Sequence, residues 1–383
     1  MKKIVLLMLL GCLLGNGFCY AGEQKELFIL ATGDAVFRQD DNIGICFIAP
    51  RAVLSTSIIN GGYREDLQAV FNHNSTGNTA MTVEAYRKDM AQEAERLGFK
   101  PDKISCMGTG VPMDNAVFKT ESFKNASVTA IVTAGVEGNG GRVGDHSDYF
   151  QPGKKADMPK PGTINIMLVM NADMPAGTLA RALVTCTEAK TAALQELMVS
   201  SRYSNGLATG SGTDQTIVIS NPQAALYLED AGKHSKLGEL IGQTVKAAVK
   251  EALLKQNGLS GEKQHSVIRR LERFGITGEK LYRDYLQAGY EPVGREEFIN
   301  QLAGFERQNQ IVTKTSLYVH LIDQYLWGLL TADEVAETGN ELIAAAARPF
   351  NLPPGEIGEN NLTGFISAWE KLLLGCMNQK LSQ

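Results

Sequence analysis

Three glycine-rich polar loops carry the side chains best suited to chemistry: GVEGNGGR at 135–142, PGTIN at 161–165 and TGSGTD at 209–214. Glycines allow positive φ and close approach, so such loops can turn several N–H donors toward an anion or a carbonyl oxygen. Between them they offer Asp214 as a proton acceptor, Thr163 and Thr213 as hydroxyl nucleophiles, and Asn139, Asn165 and Arg142 as donors. Two standard readings fail. GxxxxGK[ST] is absent, and neither GNGGRVG, GTGVPM nor GSGTDQ fits GxGxxG, so neither a P-loop nor a dinucleotide fold is supported. Taken alone, glycine-rich loops are more often tight turns than sites.

The histidines are His73, His146, His234, His265 and His320, and HExxH, HxH and GxSxG are all missing. His146 lies in the polar run Asp145-His-Ser-Asp148, which either holds a metal or is a solvated turn. His234 precedes Ser235 at the start of a helix, where its ring can cap, pack or serve as a base. Glu188 and Lys190 interrupt an apolar-rich helix; two positions apart, they point about 200° away from each other and are poor direct partners.

These residues need a scaffold, and the composition supplies one. The 383 residues are 44% hydrophobic and 21% charged, which is globular composition and leaves ample apolar material for a core. The net charge is −5 with Lys and Arg dispersed, so nothing marks a nucleic-acid surface. Lys2 and Lys3 precede an apolar run from Ile4 to Leu14, and Phe18-Cys-Tyr-Ala21 sets small residues before a cut after Ala21. The pattern predicts a secretory signal over 1–21 and an exported, periplasmic protein; the run is too short to span a bilayer. A lipid anchor at Cys12, in Leu9-Leu-Gly-Cys12, is the alternative. Cys46, Cys106, Cys186 and Cys376 then remain, without zinc-ligand spacing. Export permits a disulfide whose pairing the sequence leaves open; four buried thiols are the other reading.

Strands are expected over Leu27–Val36, Ile43–Ile48, Arg51–Ile59, Ser127–Thr133, Thr163–Met170 and Ile217–Ile219, with Asn60-Gly-Gly62 as a turn. Helices are expected over Val83–Leu97, Ala176–Val199 and His234–Leu254. The early adjacent strands predict an α+β fold, a mixed sheet with packed helices. Near Asn257 the pattern changes. Gly258-Leu-Ser-Gly261 reads as a linker, and helices are expected at Val267–Phe274, Gly278–Gln287, Arg295–Gln308, Ser316–Leu330, Ala332–Ala347 and Leu362–Leu374. The domain reading is thus a signal over 1–21, an α+β domain over 22–257 and an all-α C-terminal domain over 262–383. Acids outnumber bases in that last part.

Six stretches taken in order resemble the adenosylcobinamide amidohydrolase (CbiZ) family: VLSTSIINGG at 53–62, VTAGVEGN at 132–139 with RVGD at 142–145, GTIN at 162–165, RALVTCTEAKTAALQEL at 181–197, ATGSGTD at 208–214 and HSKLGELIG at 234–242. The resemblance runs from about Leu27 to Leu254. It implies cleavage of the amide that joins a corrinoid propionate side chain to aminopropanol, releasing (adenosyl)cobyric acid from (adenosyl)cobinamide or cobamides. Three features depart from the family: the export signal, the segment Asn72–Gly77, and residues 259–383, which have no counterpart in the minimal domain.

On that resemblance the expected catalytic residues are Asp214 or Glu188 as base, His234 as proton donor to the amine, and Thr213 or Thr163 as nucleophile in a covalent variant. Asn139, Asn165 and the backbone N–H groups of 209–213 would hold the oxyanion. Arg142, Lys190, Lys236 and Asn60 complete the expected substrate contacts. The corrinoid with its cobalt is substrate and no cofactor is expected. A divalent metal recruited by His146, Asp145 or His234 with Asp214 is the alternative. The expected partner is the small-molecule corrinoid, not nucleic acid. The C-terminal helices are candidates to dock a membrane or corrinoid-transport partner, to cover the corrinoid, or to support a homodimer. The rival function is an exported corrinoid-binding protein that has lost hydrolysis.

Overall fold

The structure is a computed structural model and describes residues 24–75, 82–147 and 162–382. The signal read over 1–21, the alternative anchor at Cys12, Thr76 and Gly77 of the divergent segment, Asp148 and Pro161 lie outside the described residues.

In chain order the first part contains β1 (Lys25–Ile29), β2 (Ala35–Gln39), β3 (Asn42–Cys46), β4 (Ala52–Ser55), β5 (Gly62–Arg64), β6 (Ala69–Asn74), α1 (Val83–Arg96), β7 (Ile104–Thr109), β8 (Val117–Phe123) and β9 (Ala126–Ala134). It continues with β10 (Gly140–Gly141), β11 (Ile164–Met170), α2 (Ala176–Glu196), β12 (Gly210–Ser211), β13 (Gln215–Ser220) and α3 (Lys236–Asn257). One sheet has the order β1-β2-β3-β6-β7 and another β5-β4-β13-β11-β9-β8; β10 and β12 form a two-stranded ribbon. Parallel pairs, β6–β7 and β11–β13, occur beside antiparallel ones, so the sheets are mixed, as expected of an α+β fold.

The differences from expectation have local causes. The run Leu27–Val36 is two strands, because Gly33 (φ +84°) bends the chain so that the Leu30 N–H reaches the Asp34 carbonyl at 2.9 Å. The strand expected to Ile59 stops at Ser55, since Ser57 Oγ takes the Ile59 N–H at 3.0 Å in a turn. Strands β6, β7 and β8 were not foreseen; AVFNHN and ISCMGT lack a clean apolar alternation, and β6 and β7 owe their order to pairing with each other. The apolar run at Ile164–Met170 does become an interior strand, with all seven residues buried.

By contacts the chain divides into two compact units. One comprises the described residues of Met1–Ile131, Asn165–Thr185 and Gln215–Thr244, the other those of Val132–Ile164, Cys186–Asp214 and Val245–Gln383. The first holds the two large sheets. Its core includes Val36, Ile45, Val53, Val70, Met167, Ile217 and Ile219 in one cluster and Phe71, Met90, Leu97 and Ile104 in another. A buried ion pair, Arg51 with Asp34 at 2.8 Å, pins the loop between β3 and β4 to the β1–β2 turn.

The second unit contains the C-terminal helices α4 (Gly261–Gln264), α5 (Val267–Leu271), α6 (Gly278–Gln287), α7 (Arg295–Phe305), α8 (Asn309–Leu326), α9 (Ala332–Ala347) and α10 (Leu362–Leu381). Trp369 stacks on Tyr318 with ring centroids 4.3 Å apart, and Tyr318 Oη donates to the Phe365 carbonyl at 2.7 Å. Burying such side chains stabilises the bundle by about 1.5–3 kcal/mol each. A capping box, Thr331 with Glu334, starts α9 where the sequence places it. The stretch read as a linker is tightly made: Gly258 (φ +62°) ends α3 with its N–H on the Leu254 carbonyl at 2.8 Å, and Leu259 is buried.

Among the described residues the four cysteines, Cys46, Cys106, Cys186 and Cys376, are free thiols. Burial pushes the thiol of Cys46 up to about 11 and those of Cys186 and Cys376 up to about 12. Among the described residues no helix is long and apolar enough to cross a membrane.

Candidate active site

In the second unit the ribbon β10–β12 sets Gly140 opposite Ser211, so the first and third glycine-rich loops are paired backbone to backbone. Helix α2 fastens the third loop from the side: Thr191 Oγ1 donates to the Thr209 carbonyl at 3.1 Å and Gln195 Nε2 to that of Ala208 at 2.9 Å. The inward face of α2 buries Ala189, Lys190, Ala193 and Leu194, whereas Thr187 and Glu188 are exposed. The opposed directions expected of Glu188 and Lys190 are realised.

Lys190 points at Asp214. Its ammonium contacts Asp214 Oδ2, and the two side chains are only 11% and 12% exposed. Ser211 Oγ donates to Asp214 Oδ1 at 2.6 Å, the Ile164 N–H donates to the same oxygen at 2.9 Å, and the Ser211 N–H donates to Oδ2 at 3.0 Å. A carboxylate offers about four acceptor positions, and four donors meet this one. Such a pair resists disruption, because removing one partner strands a buried charge at a cost of about 3–5 kcal/mol.

Beside the carboxylate, the Gly162 carbonyl collects two more donors, Asn139 Nδ2 at 2.6 Å and Thr213 Oγ1 at 2.9 Å, and it stands 3.1 Å from Ser211 Oγ as an alternative acceptor for that hydroxyl's single proton. Thr163 Oγ1 in turn donates to the Thr213 carbonyl at 2.8 Å. Position 162 requires glycine: φ is +151°, and a Cβ there would lie 2.1 Å from Asn139 Oδ1. That Asn139 oxygen is buried without a hydrogen-bond partner. An orphaned acceptor costs about 1–3 kcal/mol and is conspicuous next to a paired carboxylate.

A second network adjoins it through Thr209, whose Oγ1 accepts the Val143 N–H at 2.8 Å. Asp145 takes the Arg142 N–H at 2.8 Å and the Ser201 hydroxyl at 2.6 Å, while Arg142 Nη1 donates to the Leu207 carbonyl at 3.3 Å. Burial would raise the Asp145 carboxyl, but hydrogen bonds from Ser201, Ser204 and the Arg142 N–H hold it below its ordinary value. His146 is exposed. Among the described residues no group of three or more His, Cys, Asp or Glu stands close enough to hold a metal ion.

Of the expected site residues, then, Asn139, Thr163, Lys190, Thr213 and Asp214 form one connected cluster. Arg142 belongs to the adjoining network, and Glu188 lies on the outer face of α2. The others fall in the first unit. There, buried Asn165 donates through Nδ2 to Asn72 Oδ1 at 2.8 Å and to the Gly108 carbonyl at 2.9 Å. Asn60 (φ +48°) locks its turn by donating to the carbonyls of Pro101 and Ile104, both at 2.7 Å. His234 is exposed just before α3, and the cap is Ser235, whose Oγ accepts the Gly238 N–H at 3.0 Å. Lys236 pairs with Glu239 at 2.6 Å and lies 4.8 Å from the Phe123 ring centre.

Ser211 went unnoticed in the sequence. The signal was its place three residues before Asp214 in a glycine-rich turn, where a short hydroxyl can reach back to a carboxylate.

Comparison with known proteins adds three findings. The family model described as CbiZ, adenosylcobinamide amidohydrolase, matches residues 28–261. An uncharacterized protein of Methanocaldococcus jannaschii is 35% identical over 235 residues, which is 58% of this chain and 90% of that protein. A crystal structure of a Pyrococcus horikoshii protein overlaps 63% of this chain and 83% of its own at 13% identity, with a TM-score of 0.30.

Proposed function

Since the chain belongs to the adenosylcobinamide amidohydrolase family, we propose that it is an exported corrinoid amidohydrolase. It cleaves the amide between a corrin propionate side chain and aminopropanol of (adenosyl)cobinamide or cobamides, giving (adenosyl)cobyric acid. Residues 22–257 are the family domain in this reading, with 1–21 the export signal and 262–383 a helical addition.

The observation that carries the reading is the Lys190–Asp214–Ser211 cluster, which stands within the family-matched segment. Amide hydrolysis needs a nucleophile, a proton acceptor, stabilisation of the tetrahedral oxyanion and a proton for the departing amine. Asp214 is the acceptor. With four donors already on its carboxylate, a water must displace one of them to be activated there. The Ser211 hydroxyl, by contrast, is already aligned at 2.6 Å. This favours Ser211 as the attacking oxygen over water, and over Thr163 and Thr213, whose hydroxyls meet backbone carbonyls at 2.8 and 2.9 Å, whereas Ser211 Oγ lies closer to Asp214 Oδ1 at 2.6 Å than to the Gly162 carbonyl at 3.1 Å.

Attack forms the Ser211 Oγ–carbonyl bond as the hydroxyl proton passes to Asp214; collapse expels the amine, which takes up that proton. Water then hydrolyses the ester to the acid and restores Ser211. Lys190 is the counter-charge beside Asp214 and fixes its direction, and the backbone N–H groups of the 209–213 loop are the candidates for the oxyanion.

The test incubates the purified protein with adenosylcobinamide and measures released aminopropanol. Release lost in Ser211→Ala and Asp214→Asn supports the assignment. Stoichiometric corrinoid binding without release overturns hydrolysis and leaves a carrier. Export is checked by fractionating cells and sequencing the mature N-terminus, with Gly22 expected first.

A further inference from the structure

The three glycine-rich loops converge on one backbone atom, the Gly162 carbonyl oxygen. It receives Asn139 Nδ2 from the first loop at 2.6 Å and Thr213 Oγ1 from the third at 2.9 Å. Its own residue sets its direction, since a φ of +151° is unstrained for glycine alone. The second loop also clasps the third in the opposite sense, with Thr163 Oγ1 donating to the Thr213 carbonyl at 2.8 Å. Thr213 is therefore held by side chain and peptide alike, although the residue is exposed.

This arrangement bears on Ser211, whose hydroxyl has one proton and two acceptors in reach. Asp214 Oδ1 stands at 2.6 Å and the Gly162 carbonyl at 3.1 Å. Only the first choice aims the proton at the base. The second turns a lone pair of Oγ toward the carboxylate and leaves no proton to transfer there. A carbonyl oxygen has two lone pairs, and Asn139 and Thr213 supply a donor to each. The competing acceptor is thus saturated, and the charge of a carboxylate adds to the same preference. Removing Thr213 Oγ1 would reopen one lone pair to the Ser211 proton.

We propose that Thr213 is a positioning residue for Ser211: together with Asn139 it fills the Gly162 carbonyl and so directs the Ser211 proton to Asp214. The proposal rests on Ser211 as the attacking oxygen. It gives Thr213 neither that role nor a contact with the substrate.

The experiment compares Thr213→Val, which keeps the shape and removes the donor, with Thr213→Ser, which restores the donor. Urea midpoints check that the exposed position tolerates both. For aminopropanol release from adenosylcobinamide, Thr213→Val should lower kcat roughly 10–100-fold with KM unchanged. Thr213→Ser should recover most of the loss. On a Ser211→Ala background Thr213→Val should cost nothing further, because the two residues act through one proton. A fluorophosphonate gives a reading that needs no corrinoid: Ser211 Oγ bonds to phosphorus, fluoride leaves and the hydroxyl proton passes to Asp214. Its labelling rate at Ser211, mapped by mass spectrometry, should fall in Thr213→Val by a similar factor.

A wild-type chain that releases aminopropanol or labels at Ser211, matched by Thr213→Val, overturns the positioning role alone. So does a loss that recurs in full on the Ser211→Ala background, which would make Thr213 merely structural. Turnover lost in Thr213→Val and kept in Ser211→Ala overturns it in favour of Thr213 as the attacking oxygen. A wild-type chain with neither release nor labelling overturns the hydrolytic reading and the positioning role together.

Discussion

Asp214 and Arg270 meet contrasting surroundings within the same unit, the one enclosed by donors and the other half-buried. Asp214 is met by an ammonium, a hydroxyl and two backbone N–H groups. Among the described residues Arg270 is met by another arginine and by no acid. A low-dielectric interior penalises an unpaired charge heavily, so a chain usually pairs a buried charge or does without it. The first arrangement is closed and fixes the direction of the carboxylate proposed to react. The second is open: the Nε–H of Arg270 is buried without a partner while the side chain as a whole still reaches solvent.

The contrast is most severely tested at the closed end. Asp214→Asn is expected to lower turnover by at least about a thousandfold and to destabilise the fold by about 3–5 kcal/mol by stranding Lys190. Urea unfolding and aminopropanol release measure the two effects. Adding Lys190→Met to that variant should recover most of the stability and none of the turnover. Recovery of both would mean that the pair only holds the loop.

Ser211→Ala separates nucleophile from bystander. Turnover should fall about 10²–10⁴-fold while stability changes by about 1 kcal/mol, the worth of a lost hydrogen bond. Normal turnover would return the attacking role to water. Gly162→Ala should destabilise by roughly 2–4 kcal/mol through the clash with Asn139 and the forced φ, read as a drop in urea midpoint.

At the open end the sign reverses. Arg270→Gln, which removes a half-buried cation with no carboxylate partner among the described residues, should leave stability unchanged or raise it by on the order of 1 kcal/mol. A clear loss would show that the arginine has a stabilising partner. The smallest effect concerns pH. Asp145 is held below its ordinary pKa in the fold, so its contribution is present above the unfolded value near about 4 and is lost as acid protonates it. Asp145→Asn should therefore flatten the decline of stability below about pH 4, as followed by urea titrations across pH 2–5.

Much of this was legible beforehand where structure is local. Helices Gly278–Gln287 and Ala332–Ala347 begin and end as expected, because capping threonines and an apolar stripe mark them. The uniformly apolar run at 164–170 announced an interior strand. Strands β6 and β7 were not legible, because neighbours far along the chain give them order. The cluster was legible in part: Asp214, Thr163, Thr213, Asn139 and Lys190 were each singled out, but Ser211 was passed over.

The sequence by itself determined the residue types in the three glycine-rich loops, the helical character of the C-terminal region and the family to which the order of its segments points. These depend on near neighbours and short spacings. Only the tertiary structure decided that Lys190, 24 positions from Asp214, is its counter-charge, that Ser211 and not a threonine reaches the carboxylate, and that Arg270 is left without one. A charge's partner is set by distance and burial in space, and neither is written in the spacing along the chain.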